Sequence, residues 1–228
     1  MHFLFPSILS RLDYIDRITV HDCRSLTLSF DKASQIIARY IGDMTSGIRF
    51  DQMVREPANS SVPHAVVCLN IQAANQIRAR LAYAKAQPFL NKPLPGLNEI
   101  PIDADIFETD QYDGNAAGVL HYLASFNGIK TSVASKILHQ KRPRLVPIFD
   151  ELARRALYIP WTRGSSSTSY KPLFAYFRRF ISYADNAAAL DKLVLWVNSR
   201  TKHGRECQFS KVRTLDILAW SVIQYNVQ

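Results

Sequence analysis

Asp150 is the last residue but one of a stretch that combines several residue types used in catalysis and binding, FNGIKTSVASKILHQKRPRLVPIFDE at residues 126 to 151. The stretch opens with a glycine-containing turn, continues through a segment with an alanine face, and carries the basic cluster KRPR before the aspartate. A carboxylate in this position can stabilise a developing positive charge or orient a water molecule. It can equally cap the helix that follows, which is a common role of aspartate. The sequence leaves both interpretations of Asp150 open.

The turn before Thr131 has the features of a backbone that approaches a phosphate closely. Gly128 lets the chain come near a ligand, and a helix that begins at Thr131 would point its first N–H groups and its positive dipole end at an anion. The basic residues at 141 to 144 either line a nucleic-acid channel or form a solvated turn. The predicted contacts to a nucleic-acid backbone are Asn127, Gly128, Ile129, Lys130, Thr131, Lys136, Lys141, Arg142 and Arg144.

These residues resemble the helix-hairpin-helix DNA glycosylase superfamily, whose hairpin typically reads L-P-G-[IV]-G-x-x-x-A. In well-known members the catalytic aspartate follows the alanine by sixteen residues, and the same interval separates Ala134 from Asp150. The resemblance covers residues 115 to 157. It implies that Gly128 and Ile129 are the glycine and the apolar residue of the hairpin, and that Asp150 is the catalytic carboxylate.

Three positions qualify the resemblance. Ser132 falls where bifunctional members carry the lysine that forms a Schiff base with the sugar, so the likeness implies a monofunctional enzyme. Asn127 replaces the usual proline, and Lys130 replaces the second glycine while adding a charge. The catalytic positions implied by the resemblance are therefore Asp150 and Ser132.

The resemblance also implies a reaction and a partner. A DNA glycosylase involved in repair hydrolyses the N-glycosidic bond of a damaged or modified base, which must first flip out of the duplex into a pocket. The aromatic candidates for such a pocket are Tyr112, Phe149, Tyr158 and Trp161. Two alternatives stay open: a non-catalytic helix-hairpin-helix module in regulation or in defence against foreign DNA, and a domain that binds RNA or another protein.

A second likeness involves two segments, ASKILHQKRPRLVPIFD and VRTLDILAW, the latter at residues 212 to 220. Together they are similar to a family of bacterial proteins known mainly as a domain of unknown function. This likeness indicates a module and says little about activity.

The elements around the hairpin read as helices. Asp31 is predicted to cap a helix over residues 31 to 41 that stops at Gly42, and Thr131 to cap the second hairpin helix, which Pro143 ends. Residues 17 to 30 alternate like one or two strands or an extended arm. The remaining predictions are an irregular segment at 43 to 61, a helix at 63 to 86 with a break near Asn70, a connector at 87 to 101, helices from 148 and at 171 to 184, 187 to 198 and 210 to 225, and a basic loop at 198 to 213.

The predicted fold is mostly α, a two-lobed helical bundle with a helix-hairpin-helix motif and a small β element near the N-terminus. We expect residues 1 to 228 to form a single compact unit. Its lobes are residues 31 to 141, and residues 1 to 30 together with 142 to 228. We expect the cleft between them to hold the site.

The composition favours a polyanionic partner. The formal charge is +9 and the isoelectric point is about 9.6, which suits duplex DNA. The three cysteines and six histidines show no metal-binding spacing, so no metal and no cofactor is predicted. No stretch approaches the roughly 18 apolar residues of a membrane span, and we expect a cytoplasmic protein whose oligomeric state is open.

Overall fold

The structure is a computed structural model that describes residues 2–4, 27–56, 59, 61–157, 170–181 and 186–225. Eleven α-helices fall within these residues, which confirms the mostly α fold. They are α1 (Phe30–Asp43), α2 (Thr45–Val54), α3 (Cys68–Gln76), α4 (Tyr83–Ala86), α5 (Asp113–Ala124), α6 (Thr131–His139), α7 (Glu151–Ala156), α8 (Lys171–Ile181), α9 (Asn186–Arg200), α10 (Lys202–Cys207) and α11 (Lys211–Gln224).

A small β element accompanies the helices. Strand β1 (His2–Leu4) pairs antiparallel with β2 (Thr27–Ser29), in a register that sets His2 opposite Ser29. The predicted strand-like segment at 17 to 30 thus ends in β2, and its first part lies outside the described residues.

The N-cap of helix α1 is Ser29 rather than Asp31. The Ser29 backbone is extended, and its hydroxyl accepts a hydrogen bond from the Lys32 N–H at 3.2 Å. The predicted cap at Asp31 is therefore wrong, because Ser29 already satisfies the orphan donor and leaves Asp31 in the first turn. Gly42 lies inside the helix, which continues to Asp43.

The segment between α1 and the hairpin contains more helix breaks and turns than predicted. Helix α2 occupies part of the span expected to be irregular. The predicted break near Asn70 is wrong, because the Asn70 side chain accepts from the Val67 N–H at 2.9 Å and stabilises the start of α3. The chain breaks after Gln76 instead, where Arg78 and Arg80 adopt positive φ angles of 63° and 53°. The predicted connector contains one turn of 3₁₀ helix, Leu97–Glu99.

Helices α5 and α6 form the predicted hairpin. They pack against each other, and Ala134 is fully buried on the inner face of α6. Gly128 adopts φ +83° in the turn, a conformation that favours glycine. Lys130, not Thr131, is the N-cap of α6, and no side chain caps this helix start. The helix ends at His139, before Pro143 is reached.

The C-terminal helices pack around α11. This helix contacts α7, α1 and α9, and it is buried on most of its circumference. The basic segment predicted as a loop contains α10, which begins where Thr201 Oγ1 accepts from the Gly204 N–H at 2.8 Å. The division of the chain into two lobes remains a prediction.

Candidate functional site

Asp150 is the N-cap of α7. Its backbone is extended, and its Oδ1 accepts from the Ala153 N–H at 2.9 Å. The capping interpretation is thus confirmed as one role of this residue. Burial raises the pKa of the Asp150 carboxyl, while the Ala153 N–H and the nearby Lys136 ammonium work in the opposite direction. The carboxylate is therefore held in a place that penalises its charge.

A cavity of about 290 Å³ opens beside this helix start. The walls include Ser132 of α6, Asp150 and the first turn of α7, Tyr40 of α1, and one face of α11. Asp150 and Ser132, the two positions that the hairpin likeness singled out, therefore line the same cavity. The interval of sixteen residues places the carboxylate against the second helix of the hairpin.

Lys136 lies one helical turn after Ser132 and lines the same cavity. Only 6% of the residue is exposed, and no hydrogen bond to its amine occurs among the described residues. Burial lowers the pKa of the Lys136 amine, and the Asp150 carboxylate counteracts this effect. The sequence predicted a phosphate contact for Lys136, but its amine faces a cavity rather than an open surface.

Arg213 and Tyr40 line another side of the cavity and form a buried cluster with Asp51, which lies behind them. Arg213 donates from Nε to Asp51 Oδ1 at 2.7 Å and from Nη2 to Asp51 Oδ2 at 3.1 Å. The same guanidinium donates to the Tyr40 hydroxyl at 3.0 Å. Burial raises the pKa of Asp51, opposed by Arg213, and burial raises the pKa of Tyr40 to about 12. The guanidinium is thus committed to these two partners.

Asp216 of α11 also directs a carboxyl group at the cavity. Only 3% of the residue is exposed, and its two oxygens accept from the Ile148 N–H at 3.1 and 3.3 Å. Burial raises the pKa of Asp216 well above its usual range; Arg213 opposes this shift, and Asp150 and Asp51 add to it. Among the described residues, three carboxyl residues thus line the cavity: the exposed Glu151, which pairs with Arg154 at 2.8 Å, and Asp150 and Asp216, whose surroundings differ.

The chain between α6 and α7 is fixed to its surroundings by hydrogen bonds. The Phe149 N–H donates to Ser135 Oγ at 3.0 Å, and the His139 ring donates from Nδ1 to the Val146 carbonyl at 2.6 Å. These bonds set the direction in which the chain enters α7. They hold the Asp150 side chain towards the cavity.

The hairpin turn is exposed beside a second lysine. Asn127, Gly128 and Lys130 are exposed, Thr131 is half-buried, and Ile129 is buried beneath them. A Cβ atom added at Gly128 would lie 2.6 Å from Lys85 Nζ, so the Lys85 ammonium lies over the turn. No pattern in the sequence points to Lys85, because it is distant from the hairpin along the chain.

The basic cluster at 141 to 144 does not form an open cationic face. Lys141 is buried, and its amine donates to the backbone carbonyls of Asn59 and Val62. Arg142 is fully buried, and its guanidinium donates to the carbonyls of Lys141, Ile100, Pro63 and Leu97. Arg144 is exposed and pairs with Asp105 at 2.9 Å. The side chains of Lys141 and Arg142 therefore link loops of the protein through hydrogen bonds to backbone carbonyls. Because their donors are used in this way, these two side chains are not available to DNA.

Phe149 and Tyr112, the two predicted pocket aromatics that the structure describes, are not among the residues that line the cavity. Phe149 is a core residue whose ring contacts Phe174 and Phe177 edge to face at 5.6 and 6.2 Å. Tyr112 packs partly buried against the core at the start of α5. Tyr158 and Trp161 lie outside the described residues. Among the described residues, the aromatic side chains that line the cavity are Tyr40 and Trp220.

Comparison with known proteins gives a family without an activity. A family model described as a family of unknown function, DUF6308, matches residues 33–223. The chain belongs to this family. No curated protein and no solved structure matches it. The match to DUF6308 spans the hairpin, Asp150 and α11, which agrees with the second sequence likeness.

Sequence reasoning missed the contribution of α11 to the site of this DUF6308 protein. Arg213, Asp216, Ile217 and Trp220 all line the cavity, and their spacing sets them on one face of the helix. The signal was present: a charged pair interrupts an otherwise apolar stripe in VRTLDILAW. Buried charges at such positions indicate a site, because they are costly without one. In the part of the chain that the structure describes, no helix is long and apolar enough to span a membrane.

Proposed function

We propose that this protein is a monofunctional DNA glycosylase that hydrolyses the N-glycosidic bond of a damaged or modified base. The observation that carries the proposal is the shared cavity of Asp150 and Ser132 beside a helical hairpin with a positive-φ glycine. The half-buried position of this carboxyl raises its pKa and so disfavours its charge, which a purely structural cap would not require. Such an enzyme would act in the cytoplasm.

Duplex DNA would be held at the hairpin turn. The exposed Gly128 lets a phosphate approach the backbone, and the uncapped first turn of α6 offers free N–H groups. Lys130 beside the turn and Lys85 over it supply positive charge. Arg78, an exposed residue that also lines the cavity, would contact the strand near the flipped nucleotide.

The flipped base would enter the cavity between α6 and α11. Tyr40 and Trp220 provide aromatic faces for stacking. As the bond between the sugar and the base lengthens, positive charge develops on the deoxyribose, and the Asp150 carboxylate would stabilise it or orient the attacking water. Lys136 favours the ionised form of Asp150. Ser132 carries no amine, so the abasic product would remain uncleaved.

The test uses duplex DNAs that carry alkylated, oxidised, deaminated and phage-type modified bases. We expect wild-type protein to release one class of base and leave alkali-sensitive sites, and Asp150→Asn to bind DNA with unchanged affinity but release nothing. Asp31→Asn is the matched control, because Asp31 is an exposed aspartate in the first turn of α1. Equal base release by wild type and Asp150→Asn would refute the assignment. Strand breaks without alkali would contradict the monofunctional mechanism and would point to the Lys136 amine.

The second candidate is a non-catalytic DNA-binding module that uses the same hairpin in regulation or in defence against foreign DNA. The cap bond from Ala153 to Asp150 favours it, because this bond alone can explain why an aspartate stands there. A module of this kind binds with a steep salt dependence and gives no product on any base. Its Asp150→Ala variant would keep its DNA affinity.

A further inference from the structure

The geometry points to Asp216 as the general acid of the proposed reaction, the group that delivers a proton to the departing base. The inference rests on the proposed function and assigns a role that the hairpin resemblance does not imply. Asp216 lies on α11, whereas Asp150 lies at the start of α7, and both line the cavity.

Asp216 is a buried carboxyl that lacks an ion pair among the described residues. The nearest positive group of its own helix is Arg213, and that guanidinium is bound to Asp51 and Tyr40. The Ile148 N–H is the hydrogen-bond donor to Asp216. A buried carboxyl without a paired cation favours its neutral, protonated form. A protonated Asp216 can accept from Ile148 with one oxygen and donate into the cavity with the other.

Burial is the largest cause of the raised pKa of Asp216, and the neighbouring groups act on that pKa in both directions. Arg213 of α11 and the Ile148 N–H lower it, whereas Asp150 at the start of α7 and Asp51 of α2 raise it. Lys136 on α6 lines the same cavity and favours ionisation of Asp150. Tyr40 on α1, with its pKa raised to about 12, stays neutral. The pKa of Asp216 is raised well above its usual range, and Lys136 opposes the rise in the pKa of Asp150. In the proposed reaction Asp216 is therefore the acid and Asp150 the carboxylate, the arrangement that acid–base hydrolysis needs.

The reaction balances with these two groups and water. The bond between C1′ and the base nitrogen breaks, its electron pair leaves with the base, and the Asp216 proton neutralises that base. Asp150 stabilises the sugar cation; the water oxygen then bonds to C1′ and a water proton passes to Asp150. The products are a free base and an abasic sugar. Return of one proton from Asp150 to Asp216 resets the site.

The test is Asp216→Asn, which keeps the shape and the acceptor for the Ile148 N–H but cannot act as an acid. On whichever base the wild type releases, we expect single-turnover rates to fall by about 10²–10⁴-fold, a typical share for general acid catalysis. Wild-type activity should fall as pH rises through the Asp216 pKa, and the variant should lack this alkaline limb. DNA affinity should not change.

A second measurement checks the proton itself. In the infrared spectrum at pH 7 we expect a carbonyl stretch of a protonated carboxyl that is missing in Asp216→Asn. Absence of this band in the wild type, or a variant that keeps the wild-type rate and alkaline limb, overturns the role of Asp216 and leaves the glycosylase proposal standing. Absence of product from the wild type on every base overturns the glycosylase proposal, and with it the acid.

Discussion

Two substitutions of Asp150 separate its helix-capping hydrogen bond from its negative charge. Asparagine removes only the charge, whereas alanine removes both the charge and the hydrogen-bond acceptor. In the wild type the hydrogen bond from the Ala153 N–H to Asp150 is 2.9 Å long. Asparagine can still accept this bond and is about as good an N-cap as aspartate. Alanine removes the acceptor as well. We therefore expect Asp150→Ala to be less stable than Asp150→Asn by about 1 kcal/mol, or roughly 2–4 °C in melting temperature for a chain of this size.

The charge of Asp150 gives the second part of the prediction. Because burial raises the pKa of Asp150 in the folded protein, the folded state binds the proton more tightly than the unfolded state does. The resulting stabilisation is fully present below the unfolded pKa and is lost as pH rises through the folded pKa. Asp150→Asn lacks this loss, so we expect it to melt at a higher temperature than wild type at pH 7, with a difference that shrinks towards pH 4.

Thermal melts of wild type, Asp150→Asn and Asp150→Ala from pH 4 to 8 measure both effects. Differences between variants at one pH cancel the titration of the groups that do not interact with Asp150. A melting temperature for Asp150→Asn that is below wild type at pH 7 would refute the reasoning. It would mean that the carboxylate forms a net stabilising pair with Lys136 and is present for stability.

Two further predictions concern the buried charges. Arg142→Met should lower the free energy of unfolding by at least about 3 kcal/mol, since four carbonyls lose a donor. The control Arg144→Met should lower it by less than about 1 kcal/mol. Denaturant titrations that give equal losses for the two variants would contradict the structural role of Arg142. Asp51→Asn should destabilise by about 3–5 kcal/mol because it leaves the Arg213 charge buried without its carboxylate, and the double variant Asp51→Leu with Arg213→Met should recover part of the loss. A double variant as unstable as Asp51→Asn would show that apolar packing cannot replace the pair.

The hairpin and the Asp150 cap could be predicted from sequence because both depend on local physics. A glycine at the turn, an inward alanine and an aspartate before a helical pattern are short-range signals. The start of α6 at Thr131 was also predicted, although Lys130 occupies the cap position. The start of α1 was misassigned because Ser29 and Asp31 are both good caps, and only the extended backbone of Ser29 decides between them.

The rest of the site depends on contacts between distant parts of the chain. The charge of Arg142 indicated an exposed residue, but its guanidinium donates hydrogen bonds to the carbonyls of Pro63 and Leu97. No local sequence pattern predicts these contacts. Lys85 reaches the hairpin only in three dimensions. Helix α11 lines the cavity only because it packs on α1 and α7. The sequence shows that this helix carries charged residues on an apolar face, but it does not show which cavity they line.

The hydrogen bonds between α6 and α7 also constrain how the sequence can vary in length. The Ser135 hydroxyl accepts a hydrogen bond from the Phe149 N–H, and the His139 ring donates one to the Val146 carbonyl. An insertion or deletion between α6 and α7 would therefore break these bonds, because the connecting chain has no flexible loop that could take up the change. Such a change would rotate the start of α7 and turn Asp150 away from the cavity. We expect relatives that keep the cavity to keep this interval at sixteen residues while their surface loops, such as the connector before α5, differ freely in length. A relative with a different interval would have to place its carboxylate by another route.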